Sequence, residues 1–125
     1  MDKKKKVVLV DDEEDFCFFV KANLENTGEL DVITAASGKE GIELVLREKP
    51  DVVILDLFMP GMSGRQVAET LRGRVETQSL PIIFFTAMAG EEDMKRELVE
   101  SIGACEFLLK PVTTDRLLDA IRKIT

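Results

Sequence analysis

Three short, unbroken apolar runs punctuate the chain, at residues 7–10, 52–55 and 80–85. Each stops abruptly at a polar residue: Asp11, Asp56 and Thr86. Runs this short and this rich in Val and Ile predict strands buried on both faces of a sheet. Two weaker segments have the same extended character. Residues 30–35 alternate loosely and contain Thr34, which suits an edge strand. Residues 106–109 are short and run straight into Lys110-Pro111.

Between these runs the apolar period changes from continuous to helical. Phe16, Phe19, Val20 and Leu24 predict the inner face of a first helix, with Gly28 as its stop. Cys17 and Phe18 widen that apolar face beyond one core contact, with Phe18 at its solvent margin. Ser37-Gly38-Lys39-Glu40 and Ser63-Gly64-Arg65-Gln66 both have the capping-box pattern. The first opens a helix carrying Ile42, Val45 and Leu46, and the second one carrying Val67, Ala68 and Leu71. Residues 91–102 predict a thinly apolar helix with only Met94, Leu98 and Ile102 on one stripe. Residues 113–125 predict an amphipathic last helix with Leu117, Leu118, Ile121 and Ile124 inward.

Strand and helix alternate five times, without repeats or linkers. That order implies an α/β fold: a parallel sheet with right-handed crossovers and helices on both faces. The three apolar strands belong in its centre and the two weaker ones at its edges. At 125 residues the chain predicts one domain, 1–125.

Composition removes several classes of function. The chain has no histidine, and Cys17 and Cys105 lie far apart without a metal-type partner. A zinc site and a histidine-based triad are thereby excluded, and two packed, reduced thiols are expected. A net charge of −7 argues against nucleic acid as a direct partner. The lysines at 3–6 read as a solubilising lead-in to the first strand. No apolar run approaches the ~18 residues of a membrane span, so no membrane partner is expected. The first strand follows where a signal peptide would carry its apolar segment, which points to a cytoplasmic protein.

The chemistry lies in what the strands end on. In a parallel sheet all carboxyl ends share one rim, so Asp11, Asp12, Asp56, Thr86 and Lys110 are delivered to one crevice. Carboxylates about 4 Å apart repel by about 1 kcal/mol per pair in water, and about 4 at an effective dielectric of 20. Such crowding persists where a cation is held. Few, hard oxygen ligands suit Mg²⁺ (or Mn²⁺), which also coordinates phosphate. A lysine is a point charge for phosphate and a threonine hydroxyl donates to it. One carboxylate can then act as the nucleophile that accepts a phosphoryl group.

The Asp11-Asp12 pair, Asp56 with Met59-Pro60-Gly61-Met62-Ser63-Gly64 after it, Thr86-Ala87 and Lys110-Pro111 together resemble the receiver domains of two-component response regulators. The likeness runs from end to end and is nearest the chemotaxis-regulator type. It implies a flavodoxin-like, doubly wound (βα)5 three-layer sandwich with strand order 2-1-3-4-5. It implies Asp56 as phosphoacceptor, and Asp11, Asp12, Asp56 and the Phe58 backbone carbonyl as Mg²⁺ ligands. Thr86, Ala87 and Lys110 would surround the phosphoryl group, and the Lys110-Pro111 bond would be cis. Phe107 falls at the family's switch aromatic, and equally suits an edge-strand core.

The partners implied are a sensor histidine kinase or histidine phosphotransfer protein as donor, and an output partner the sequence does not identify. No enzyme activity is expected beyond phosphotransfer to itself and autodephosphorylation. Phe58 and Met88 are expected to flank the approach of a hydrolytic water. Both are bulky and apolar, so slow autodephosphorylation is expected. Two other readings compete. An aspartate-nucleophile phosphatase of the haloacid dehalogenase type needs a second Asp two positions after the nucleophile, where Phe58 stands. A phosphorylation-independent binding module has no need of the intact acids and lysine.

Overall fold

In β1 (Lys5–Val10) successive side chains leave the backbone on opposite sides. In the computed structural model, which describes residues 4–87, 92–103 and 105–125, Val8 and Val10 enter one buried layer and Val7 and Leu9 another. The same division runs through β3 (Val52–Asp56) and β4 (Ile82–Thr86). Strands that are apolar on both sides need a cover on both sides. Helices α2 (Gly38–Glu48), α3 (Gly64–Arg72) and α4 (Glu92–Ile102) supply one cover. Helices α1 (Glu14–Glu25) and α5 (Thr114–Ile124) supply the other.

The sheet runs β2-β1-β3-β4-β5, with β2 (Leu30–Ala35) and β5 (Glu106–Leu109) at its edges. Every neighbouring pair is parallel. This is the flavodoxin-like order, and the three apolar strands do occupy its centre. Strand order reverses direction between β1 and β3. The crevice at the carboxyl ends of those two strands is therefore the topological switch point, where such sheets place ligands.

Local chemistry sets where the helices begin. Ser63 and Gln66 form a reciprocal capping box, with the Gln66 N–H donating to Ser63 Oγ at 3.2 Å and the Ser63 N–H to Gln66 Oε1 at 2.9 Å. Ser37 forms half of such a box, accepting from the Glu40 N–H at 3.2 Å. Thr113 caps α5 in the same way. Among the described residues no helix is long and apolar enough to cross a membrane.

The structure corrects the predicted face of α1. Phe19 is 63% exposed and points to solvent beside Phe18, while Cys17 is buried in its place. Phe16, Cys17, Val20 and Leu24 fill one side of a 3.6-residue period, and Phe19 falls outside that arc. In α2, Leu44 is also buried, which the pattern reading omitted. The β4 strand starts at Ile82, two residues later than predicted. Pro81 has no N–H to give the ladder, although its carbonyl still accepts from the Val53 N–H at 3.1 Å. Helix α4 is described from Glu92, so the predicted start at Glu91 and the position of Met88 lie outside the described residues.

Candidate functional site

Backbone hydrogen bonds continue one step past the strand ends, and these bonds bring the site residues side by side. The Asp11 N–H donates to Ala35 O at 3.1 Å, the Leu57 N–H to Phe85 O at 2.8 Å and the Lys110 N–H to Thr86 O at 2.8 Å. Asp56 itself pairs with Phe85 in register, one residue before Thr86. The loop after Asp56 folds back tightly, with the Gly64 N–H donating to Leu57 O. A Cβ at Gly64 would fall deep inside van der Waals contact with the Asp56 carbonyl oxygen. Only glycine lets the first turn of α3 lie against the end of β3.

The side chains converge as the strand ends imply. Carboxylate oxygens of Asp11, Asp12 and Asp56 all lie within 4.8 Å of one another. Asp11 is fully buried, Asp56 is 6% exposed and Asp12 faces solvent. Asp11 Oδ1 accepts from the Glu13 N–H at 2.9 Å, and Asp56 Oδ1 from the Phe58 N–H at 3.3 Å. The Lys110 ammonium donates to Asp11 Oδ2 at 2.7 Å and stands 3.6 Å from Asp56 Oδ2. Thr86 is buried at the end of β4, and Ala87 follows it in an exposed bend. The Lys110-Pro111 peptide bond is cis.

Electrostatics follow from this crowding. Burial, then the neighbouring Asp11 charge, push the Asp56 carboxyl up to about 6, with Lys110 opposing them. At neutral pH it is still mostly carboxylate. For Lys110, burial pulls downward, but the hydrogen bond and charge of Asp11 outweigh it and hold the ammonium above its ordinary value. It remains a cation. Three hard carboxylates at one mouth, with one lysine to offset them, form an oxygen donor set that fits a small divalent cation such as Mg²⁺.

Phe16 and Cys17, read from the sequence only as helix packing, also have contacts in this site. Phe16 lies under the lysine, its ring centroid 4.4 Å from Lys110 Nζ. Cys17 Sγ donates to Asp11 O at 3.4 Å, and burial followed by the Asp11 charge pushes its thiol up to about 12. Cys17 is thus a packed thiol and not a nucleophile. Their distance from Asp11, five and six residues, was the available signal: one turn into α1, the chain passes back over the strand ends. Phe107 is not in the acidic crevice. It is half-buried on the α4 side of the sheet, stacked on Phe84 with centroids 5.5 Å apart, with Lys95 Nζ 5.8 Å from its ring.

Comparison with known proteins agrees with this fold. Residues 7–122 match the model of the response regulator receiver domain family. The chemotaxis protein CheY4 of Vibrio cholerae superposes with a TM-score of 0.89 at 28% identity, over 98% of this chain and 100% of that one. A response regulator receiver domain protein from Clostridium thermocellum gives a TM-score of 0.84 at 31% identity, over 96% of this chain and 93% of the other. The receiver domain of Francisella response regulator 1452 gives 0.84 at 28% identity, covering 97% and 96%. With its sheet order, its acid-lined rim and a match spanning residues 7–122, this chain belongs to the response regulator receiver domain family.

Proposed function

We propose that the chain is a phosphorylation-dependent signalling module in which Asp56 accepts a phosphoryl group from the phosphohistidine of a partner kinase or phosphotransfer protein. The observation that carries this reading is the meeting of Asp11, Asp12, Asp56 and Lys110 at one rim, from elements far apart in sequence. A carboxylate oxygen of Asp56 forms the new bond to phosphorus, and the P–N bond to the donor imidazole breaks, returning its electron pair to the ring nitrogen. Asp11, Asp12, Asp56 and the Phe58 carbonyl would hold Mg²⁺. When bound, the ion neutralises charge that builds on the transferring group.

The protein's own groups do the rest. Lys110 sits where it can leave Asp11 for a phosphoryl oxygen, and Thr86 lies at the next strand end. The phosphoryl group adds about two negative charges, which draw both inward and bias the surface around Phe107. Chemistry beyond the module's own phosphorylation and dephosphorylation is not part of this reading, and the chain, 1–125, acts as one receiver unit inside the cell. The test is transfer from a panel of phosphorylated histidine kinases. Label should pass to this chain within minutes with Mg²⁺ and stay on the kinase in chelator; no acceptance from any donor would defeat the reading.

A further inference from the structure

Lys110 reaches the acidic crevice across the face of an aromatic ring, and that ring has no part in the roles above. The ammonium stands 4.4 Å from the Phe16 centroid. Among the described residues its ion-pair partners are Asp11 at 2.7 Å, Glu13 at 3.3 Å and Asp56 at 3.6 Å. Resting on the phosphoacceptor reading, we propose that Phe16 is a positioning residue for Lys110, its π face holding the ammonium at the mouth of the site while the lysine exchanges Asp11 for a phosphoryl oxygen.

Three features support this. First, an ammonium has three N–H donors, and each carboxylate that accepts one, as Asp11 and Glu13 do here, ties that donor down in a directed bond. A ring face attracts the cation without accepting such a bond, so it steadies the charge and leaves the N–H groups free to turn. Second, the ring is itself anchored. Phe16 meets Phe85 edge-on, with centroids 5.6 Å apart and planes 79° apart. Phe85 is fully buried, and its carbonyl accepts the Leu57 N–H beside Asp56. The ring is therefore tied to the strand that carries Thr86 and to the turn that carries the acceptor. Third, the Lys110 side chain is only 12% exposed. The ring replaces water on one side of the ammonium, where an aliphatic side chain would leave that side without any electrostatic partner.

The test uses fluoroberyllate, which mimics an acyl phosphate, titrated by calorimetry into the protein at saturating Mg²⁺. Mg²⁺ affinity alone is measured alongside. Phe16 is replaced by leucine and, separately, by phenylalanine with progressively fluorinated rings, which keep the shape and drain the negative face. Fluoroberyllate affinity should fall stepwise with fluorination and about fivefold for Phe16→Leu, inside the roughly two- to thirtyfold span of cation–π contacts. Mg²⁺ affinity should not weaken. Fluorinated rings that bind as tightly as phenylalanine would overturn the proposal, as would a loss of Mg²⁺ affinity in step with fluoroberyllate. Failure of the unaltered protein to bind fluoroberyllate would instead remove the acceptor reading, and this role with it.

Discussion

At the scale of single residues, Asp56 holds a carboxylate where the surroundings resist one. Its folded-state value of about 6 lies above the 3.8 of the free side chain. The folded protein therefore binds this proton more tightly than the unfolded chain does. That stabilisation is complete below about pH 4 and is lost as pH rises through about 6. Near pH 7 without metal, the ionised Asp56 costs on the order of 2 kcal/mol. We expect Asp56→Asn to be more stable than the unaltered protein by about 1–2 kcal/mol near pH 7, with the advantage disappearing near pH 4. Urea unfolding in chelator at several pH values measures this, and equal stabilities at neutral pH would rule it out.

Phe58 should bear on the lifetime of the phosphorylated state. Its side chain is 48% exposed two residues after Asp56, and an apolar ring there cannot orient a hydrolytic water. The phosphoprotein should decay over many minutes, and Phe58→Asn should change that rate. Phosphate release from the purified phosphoprotein gives the answer; a half-life of seconds for the unaltered sequence would contradict it.

At the scale of elements, the site depends on how closely α3 approaches β3. Gly64 is the point of contact, because an added Cβ would collide with the Asp56 backbone and not with a yielding side chain. Gly64→Ala should cost about 2–3 kcal/mol or more and slow phosphorylation as well, since relief of the clash moves the strand end that carries Asp56. Ser63→Ala removes only the cap and should cost about 1 kcal/mol while leaving phosphorylation intact. Thermal unfolding and labelling of the two variants separate these cases, and a harmless Gly64→Ala would show that the approach is looser than described. The Ser37 and Ser63 caps and the inward residues of α3 were legible in the sequence because both depend on spacing within one helix, although only Ser63 completes its box. The inner face of α1 was less so. With Phe16, Cys17, Phe18, Phe19 and Val20 in an unbroken row, periodicity alone does not choose the buried arc; packing against β2 and α5 does, and it selects Cys17 over Phe19.

At the scale of the whole molecule, alternation of strands and helices was enough to imply the layered sheet, and apolar strength separated central strands from edge strands. The order of all five strands came from resemblance, since periodicity does not distinguish β2 from β5 as partner of β1. The rim residues could be read because a parallel sheet brings every carboxyl end to one side, whatever the order. The seat of Lys110 could not be. It joins Phe16 in α1 to a lysine after β5, and no local pattern records which ring lies under which ammonium. Asp56 as acceptor is the claim on which all of this converges. The most direct measurement is peptide mass spectrometry after incubation with a small phosphodonor and Mg²⁺. One phosphoryl group should appear on the peptide containing Asp56, and it should be absent from Asp56→Asn and from samples with chelator. Stoichiometric labelling that persists in Asp56→Asn would contradict the assignment.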